Sequence, residues 1–222
     1  RGTYKRVCVV CLDAERPTWE DYSADRRWYL DIVLDQTDEG TEFIGGCVRN
    51  DFQRNREFGV ENFIGDLSHA SWTHDSGAKA TTFDRPVPDF MPVEQDSLHR
   101  NANGHGREGG TDGLGTLGIT SLRRPAIMAY YQRKRGQTIR RPNELRATRL
   151  SGSVVSASVS PNSPYLPGIG TMRVWHSRGP RRTELRAWTV VNRDMPDEVR
   201  NAMRDACMET SSPSGVFEQS DG

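Results

Sequence analysis

Two of the five histidines lie five residues apart in the stretch Glu61-Asn-Phe-Ile-Gly-Asp-Leu-Ser-His69-Ala-Ser-Trp-Thr-His74. Imidazole nitrogens bind divalent transition metals, and two histidines with one carboxylate and open positions suit non-haem Fe(II). Because a spacing of five does not align two side chains on a helix, we expect His74 where the helix loosens or ends. Asp66 precedes His69 by three residues and could accept the outer N–H of a ligand histidine. On spacing alone, two ordinary polar residues on an amphipathic helix explain the pair equally well.

The helix that would carry these histidines is predicted from about Val60 to Trp72. After it, residues 77–118 are rich in Gly, Pro and Asp and have almost no periodicity. We interpret this length of irregular chain as a cover over the entrance of an active site. His99 and His105 within it are better explained as solvated loop residues than as ligands.

The rest of the pattern mixes strands with helices. Apolar and β-branched runs predict strands at 4–12, 41–47, 153–160, 171–176 and 184–191, and Gly45-Gly46 is predicted to form a turn. Residues 49–58 are highly charged and favour neither state. Together with the helices, these strands indicate an α+β protein.

Helix ends are also marked in the sequence. Thr18 is predicted to cap a helix that continues over 22–35, and Pro125 and Pro142 mark the two ends of another. Asp194 is predicted to cap the last helix. Its apolar stripe consists of Val199, Ala202, Met203, Ala206 and Cys207.

Composition narrows the class of protein. A chain of 222 residues with 34% hydrophobic residues fits one domain, and its net charge of zero predicts no nucleic-acid or anionic-membrane partner. No apolar run approaches the ~20 residues that span a bilayer. The Cys8-Val-Val-Cys11 pair lies in a predicted strand, where side chains three apart point to opposite faces. We therefore interpret the four cysteines as structural thiols in a reducing cytoplasm.

Several stretches together resemble one known family. The stretch Glu61 to His74 resembles the metal-site segment of the large (α) subunit of Rieske non-haem iron aromatic-ring-hydroxylating dioxygenases, of the naphthalene, biphenyl and phenanthrene type. The resemblance extends over nearly the whole chain. Its other parts are Asn103-Gly-His-Gly106, Leu166-Pro-Gly-Ile, Met172-Arg-Val-Trp-His-Ser-Arg-Gly-Pro180 and Gly215-Val-Phe-Glu-Gln-Ser-Asp221-Gly222.

The resemblance implies a helix-grip (START-like) fold, in which an antiparallel sheet wraps around helices. It implies Fe(II) held by His69, His74 and Asp221, and insertion of both atoms of O₂ into an aromatic hydrocarbon to give a cis-dihydrodiol. Electrons would come from NADH through a reductase, a ferredoxin and a Rieske [2Fe–2S] cluster. The implied assembly is a trimer of α subunits with partner β subunits.

The resemblance also implies roles around the iron. Asp66 would link the iron site to the Rieske cluster of a neighbouring subunit, and Asn62 matches a residue near the iron that is not a regular ligand. The implied walls of the substrate pocket are Phe63, Leu67, Ala70, Ala78, Leu166, Ile169 and Phe217. Each of these wall residues would also pass as core.

The two Cys and two His that hold a Rieske cluster are not found, because the sequence contains no Cys-x-His pair. The chain also begins without Met and stops one residue after Asp221. We therefore expect residues 1–222 to be a partial catalytic domain, without the Rieske domain or the C-terminal end. Such a fragment should bind iron weakly and should not turn over alone.

Three residues depart from the family pattern and put catalytic competence in question. Ser68 stands where the family usually has Tyr, Ser220 where it has Asp, and Ser211 where it has a Phe near the pocket. Two alternative functions stay open: a metal-free helix-grip protein that binds a hydrophobic ligand, and a related Rieske monooxygenase or demethylase. Retention of His69, His74 and Asp221 favours the dioxygenase over a metal-free carrier.

Overall fold

The computed structural model describes residues 14–23, 27–64, 69, 73–74, 76–77, 100–102, 105–108, 124–140 and 156–218. The strand predicted at 4–12 lies outside them. No helix among the described residues has the length and apolar character needed to cross a membrane.

Seven strands of the described residues form one antiparallel sheet in the order β1-β7-β6-β5-β4-β3-β2. From β2 to β7, each strand pairs with the next strand in the sequence. The first strand, β1, pairs with the last, β7. The strands are β1 (Thr41–Phe52), β2 (Arg100–Ala102), β3 (His105–Glu108), β4 (Ser156–Val159), β5 (Ser163–Leu166), β6 (Thr171–Ser177) and β7 (Thr183–Asn192).

Helices accompany this sheet and confirm the α+β class. They are α1 (Trp19–Ser23), α2 (Arg27–Leu34), α3 (Arg56–Ile64), α4 (Pro125–Arg140) and α5 (Asp197–Ser211). The predicted cap of α1 is confirmed, because Thr18 Oγ1 accepts the Asp21 N–H at 3.1 Å and donates to the Asp21 carboxylate at 2.7 Å. This reciprocal pair satisfies a backbone N–H that the first turn would otherwise leave without a partner.

Side chains alternate between the two faces of the sheet along each strand. Helices pack on both faces. On one face, Leu30 and Val33 of α2 pack against Tyr165, Met172 and Val190. On the other face, α3 packs around Trp175 and Leu185, and α4 and α5 pack together around Val191. The apolar stripe of α5 is confirmed: Val199, Met203, Ala206 and Cys207 are buried and Ala202 is partly buried.

The predicted turn at Gly45-Gly46 is wrong. The strand β1 continues through it to Phe52, and its register with β7 shifts between Ile44 and Val48. Gly46 has φ of 84°, a left-handed conformation that a residue without Cβ adopts readily. The two glycines therefore form a bulge, which bends the strand without ending it.

The irregular cover predicted over 77–118 is wrong for residues 100–102 and 105–108. These residues form the hairpin β2–β3, and β3 pairs with β4, with Gly106 opposite Ser158. His105 thus lies in a strand. The hairpin forms although its sequence has no strand periodicity, because backbone pairing with β4 stabilises it. The short strand β5 was not predicted because Pro164 lies within it.

The predicted cap at Asp194 is also wrong. The last helix begins after Pro196, without a side-chain hydrogen bond at its cap. The Asp194 carboxylate instead accepts the Tyr130 hydroxyl at 2.7 Å and forms an ion pair with Lys134. These partners on α4 compete successfully with the local cap.

Candidate metal centre

The helix α3 leads toward the two histidines and is fixed tightly to the sheet. It begins at Arg56, earlier than predicted, because Asn55 Oδ1 accepts the Phe58 N–H at 3.0 Å and caps it. A Cβ on Gly59 would lie 2.9–3.1 Å from the indole of Trp175, so only glycine allows α3 to approach β6 this closely. At its end, the Phe63 carbonyl accepts the Ser156 hydroxyl of β4 at 3.1 Å.

His69 and His74 lie side by side. Their ring centroids are 5.1 Å apart with an interplanar angle of 75°, and both residues are partly buried. Residues 69 and 73 are helical and His74 is not, as expected from the spacing of five. His74 thus lies at a residue without regular helical structure.

The chain after α5 returns to contact these histidines. The N–H groups of Val216 and Phe217 donate to the carbonyls of Glu209 and Thr210, at 2.9 and 3.2 Å, so this segment folds back along the last turn of α5. Phe217 then packs edge-on against His74, with ring centroids 5.2 Å apart. Gly77 also packs closely against this segment, because a Cβ there would lie 2.8 Å from the Val216 carbonyl.

A buried guanidinium joins these segments. Arg173 of β6 forms an ion pair with Glu218, and their side chains are only 1% and 5% exposed. Arg173 also donates to Ser211 Oγ at 2.9 Å and to Thr171 Oγ1 at 3.3 Å, and its Cζ lies 5.3 Å from the centre of the Phe63 ring. Removing one partner of such a buried pair typically costs about 3–5 kcal/mol, because the other charge remains buried.

A second charge cluster lies around Glu184, near the β6–β7 turn. The buried Glu184 carboxylate accepts hydrogen bonds from three half-exposed arginines, Arg49, Arg178 and Arg186. Burial raises the pKa of Glu184, but hydrogen bonds from Arg186 and Arg178 outweigh it and bring the pKa down to about 2. This carboxylate therefore stays ionised at neutral pH.

Several predicted site residues besides the two histidines lie in the described part of the chain. Phe63 is buried in an apolar cluster with Trp175, and Leu166 packs against this cluster. Phe217 is buried beside His74. Ile169 is buried, and its carbonyl accepts the Cys207 thiol at 3.8 Å. Asn62 is half-buried on α3.

Other predicted site residues lie outside the described part of the chain, and so do two of the three departures from the family pattern. They are Asp66, Leu67, Ala70, Ala78, Asp221, Ser68 and Ser220. Within the described residues, no three His, Cys, Asp or Glu side chains converge in a way that could hold a metal ion. The third departure, Ser211, is fully buried and bonded to Arg173.

Sequence reasoning did not single out Arg173 and Glu218. A signal for Arg173 was present, because strand alternation in Thr171-Met-Arg-Val-Trp175 places it on the same face as Trp175. For Glu218 the sequence offered only its place in the stretch Gly215 to Asp221 that resembles the family.

The pair of histidines fits a divalent transition metal. With metal–nitrogen bonds of about 2.1 Å, two imidazoles bound to one ion at roughly a right angle have centroids about 4.5–5 Å apart. The observed 5.1 Å is close to this value. The donor set of imidazoles, with a carboxylate still to be supplied, suits Fe(II) better than it suits the oxygen-binding ions Ca²⁺ or Mg²⁺.

Comparison with known proteins gives consistent relatives. The chain is 33% identical to the α subunit of biphenyl 2,3-dioxygenase from Rhodococcus jostii and 33% identical to the α subunit of benzene 1,2-dioxygenase from Pseudomonas putida. Each alignment covers 99% of this chain, but only 48% and 49% of the relatives. The chain thus spans about half the length of these proteins. No family model matches it.

Solved structures agree with these relatives. A naphthalene 1,2-dioxygenase with indole bound in the active site is 27% identical and superposes with a TM-score of 0.80. The match covers 95% of this chain and 47% of that one. A naphthalene 1,2-dioxygenase from Rhodococcus sp. bound to indole gives a TM-score of 0.68 at 26% identity.

Proposed function

Because this chain belongs to the family of the α subunits of Rieske aromatic-ring dioxygenases, we propose that residues 1–222 are an iron-binding catalytic domain of such an enzyme. The observation that carries the proposal is the paired arrangement of His69 and His74 beside Phe217. A hydrophobic-ligand carrier has no need for two convergent imidazoles.

The proposed ligands of Fe(II) are His69, His74 and Asp221. Asp221 follows Phe217 by four residues in the sequence, and the contact between Phe217 and His74 supports its assignment as the third ligand. Two histidines and one carboxylate would hold Fe(II) and leave it open positions for O₂. Asp66 would orient a ligand histidine and link the centre to an electron donor, with Asn62 nearby.

The proposed reaction adds both atoms of one O₂ to an aromatic ring, with two electrons and two protons, and gives a cis-dihydrodiol. NADH would supply the electrons through a reductase and a ferredoxin. These 222 residues do not fit a Rieske cluster, because they contain no Cys-x-His pair. That cluster would therefore have to be ligated outside this sequence.

The chain's own side chains would hold the aromatic ring and exclude water. Phe217 covers one edge of His74, and Phe63 and Leu166 belong to the apolar cluster beneath α3. Ile169 and, outside the described residues, Leu67, Ala70 and Ala78 complete the proposed pocket. The names of the relatives support an aromatic hydrocarbon as substrate.

The proposed partners are other α subunits, β subunits and a ferredoxin, as the word subunit in the names of the relatives suggests. A cytoplasmic location is also part of the proposal. The free thiols of Cys47 and Cys207 are compatible with a reducing compartment.

The test uses the full-length protein with reductase, ferredoxin, NADH and biphenyl or naphthalene under ¹⁸O₂. We expect a dihydrodiol that carries two labelled atoms, and we expect His69→Ala and His74→Ala to lose bound iron together with activity. His176→Ala is the matched control, because this half-buried histidine lies on β6, outside the pair.

The outcomes separate the alternatives. One labelled atom per product would indicate a monooxygenase or demethylase instead. Binding of the aromatic compound by wild-type protein that holds no iron would indicate a hydrophobic-ligand carrier. Retention of iron by both His69→Ala and His74→Ala would contradict the assignment of the ligands.

A further inference from the structure

The buried pair Arg173–Glu218 lies between the two parts of the chain that meet at the metal centre. On one side, the guanidinium lies over the ring of Phe63, near the end of the helix that leads to His69. On the other side, it pairs with Glu218, the neighbour of Phe217. One charged group therefore contacts both segments.

This contact restricts where the last segment can lie. Arg173 holds Ser211 at the end of α5 and Glu218 seven residues later, so the intervening turn is fixed at both ends. Phe217, which packs on His74, lies within this fixed turn.

The pair also selects one register of the segment. A slip by one residue would place Phe217 or Gln219 opposite the guanidinium and leave a buried charge without a counter-charge, which is strongly unfavourable. An apolar contact would tolerate such a slip more easily, because it is not directional. In the observed register, the ring of Phe217 packs on His74.

We propose that Arg173 and Glu218 are positioning residues of the metal centre: their ion pair sets the register in which the C-terminal segment meets the two histidines. The inference rests on the proposed function, since it assigns a role toward the same iron. Neither residue contacts the metal in this proposal. Their effect reaches the histidines through Phe217, which packs on His74.

The experiment measures Co(II) binding, as a spectroscopic substitute for Fe(II), in the full-length protein. The double variant Arg173→Met/Glu218→Leu removes both charges, so that neither is left buried alone. We expect its Co(II) affinity to fall about tenfold or more, the loss typical when a residue that orients metal ligands is removed. Its visible Co(II) absorption bands should shift as well.

Two controls separate positioning from stability. Arg200→Met/Glu42→Gln removes an ion pair that joins α5 to β1 away from the centre. Met203→Ala, on the buried stripe of α5, lowers Tm without touching the pair. Both controls should keep the wild-type Co(II) spectrum and affinity. A second test variant, Glu218→Asp, keeps the charge but shortens the side chain, and it decides the question if the double variant does not fold.

An unchanged Co(II) affinity and spectrum in Arg173→Met/Glu218→Leu, or in Glu218→Asp if the double variant is unfolded, would overturn the positioning role. An equal loss of affinity in Met203→Ala at a similar Tm would also overturn it, because the effect would then be general destabilisation. If wild-type protein binds neither Co(II) nor Fe(II), the proposed function fails first, and this inference fails with it.

Discussion

Arg173 and Glu184 are buried charges on adjacent strands, and the strand register places them on opposite faces of the sheet. Arg173 has one carboxylate partner and two hydroxyl acceptors, whereas Glu184 has three guanidinium donors. Arg173 contacts Phe63 of α3 and binds Ser211 and Glu218 near the end of α5. Glu184 binds three half-exposed arginines on the other face.

The Glu184 cluster predicts a pH dependence. The pKa of Glu184 is lowered from 4.5 to about 2, so its stabilising contribution is complete above pH 4.5 and is lost as the pH falls toward 2. Glu184→Gln should therefore be less stable than wild type at pH 7, and the difference should shrink between pH 4.5 and 2. Urea unfolding followed across this range measures the difference.

Asp51→Asn is the control, because the Arg182–Asp51 pair on the same face is exposed. Exposed pairs contribute about 0–1 kcal/mol, so this variant should stay close to wild type. A difference between Glu184→Gln and wild type that stays constant from pH 7 to 2 would contradict the assigned pKa.

At the scale of elements, α3 approaches β6 closely because residue 59 is glycine and has no side chain. Gly59→Ala would place a Cβ 2.9 Å from the indole of Trp175, which is packed between Phe52, Phe63 and Leu185 and has little room to move. We expect a loss of about 1–3 kcal/mol in the free energy of unfolding, the usual cost of overpacking.

Gly136→Ala supplies the matched control, since it is the same substitution within a helix. Gly136 is an exposed residue of α4, and a Cβ there meets nothing within 4 Å. This variant should gain about 0.5–1 kcal/mol from helix propensity alone. Chemical denaturation of both variants tests the pair, and a stabilised Gly59→Ala would show that α3 is less tightly packed than described.

Sequence predicted these elements where local pattern decided them. The stripe of α5 and the Thr18 cap follow from spacing within one turn or a few turns, and both were confirmed. The Asp194 cap failed because Tyr130 and Lys134, some sixty residues earlier, bind the same carboxylate. The hairpin β2–β3 was missed because its pairing with β4 is not local.

The same limit applies to the centre. The two histidines could be predicted as a metal-binding pair because they are five residues apart in one segment. Arg173 and Glu218 are far apart in sequence, and charged residues are usually assigned to the surface. Their pairing becomes visible only when the sheet and α5 bring Ser211 and Glu218 over β6.

At the scale of the whole molecule, the place of β1 in the sheet bears on the order of folding. It pairs with β7 from Thr41 opposite Asn192 to Phe52 opposite Thr183, partners about 130–150 residues apart in the chain, and closing such a loop is entropically costly. The strands β4 to β7 need only short connections to pair. We therefore expect β4–β7 to assemble first and β1 to dock afterwards.

Refolding kinetics can measure this order. Val190→Ala, on β7, should slow folding, whereas Val48→Ala, on β1, should mainly speed unfolding. A high φ-value at Val48 would contradict the late docking of β1. If β1 is the last strand to dock, then a partly folded chain exposes the edge of β7, whose unpaired backbone N–H and C=O groups can pair with another chain. The docking of β1, which covers this edge, would therefore also limit aggregation during folding.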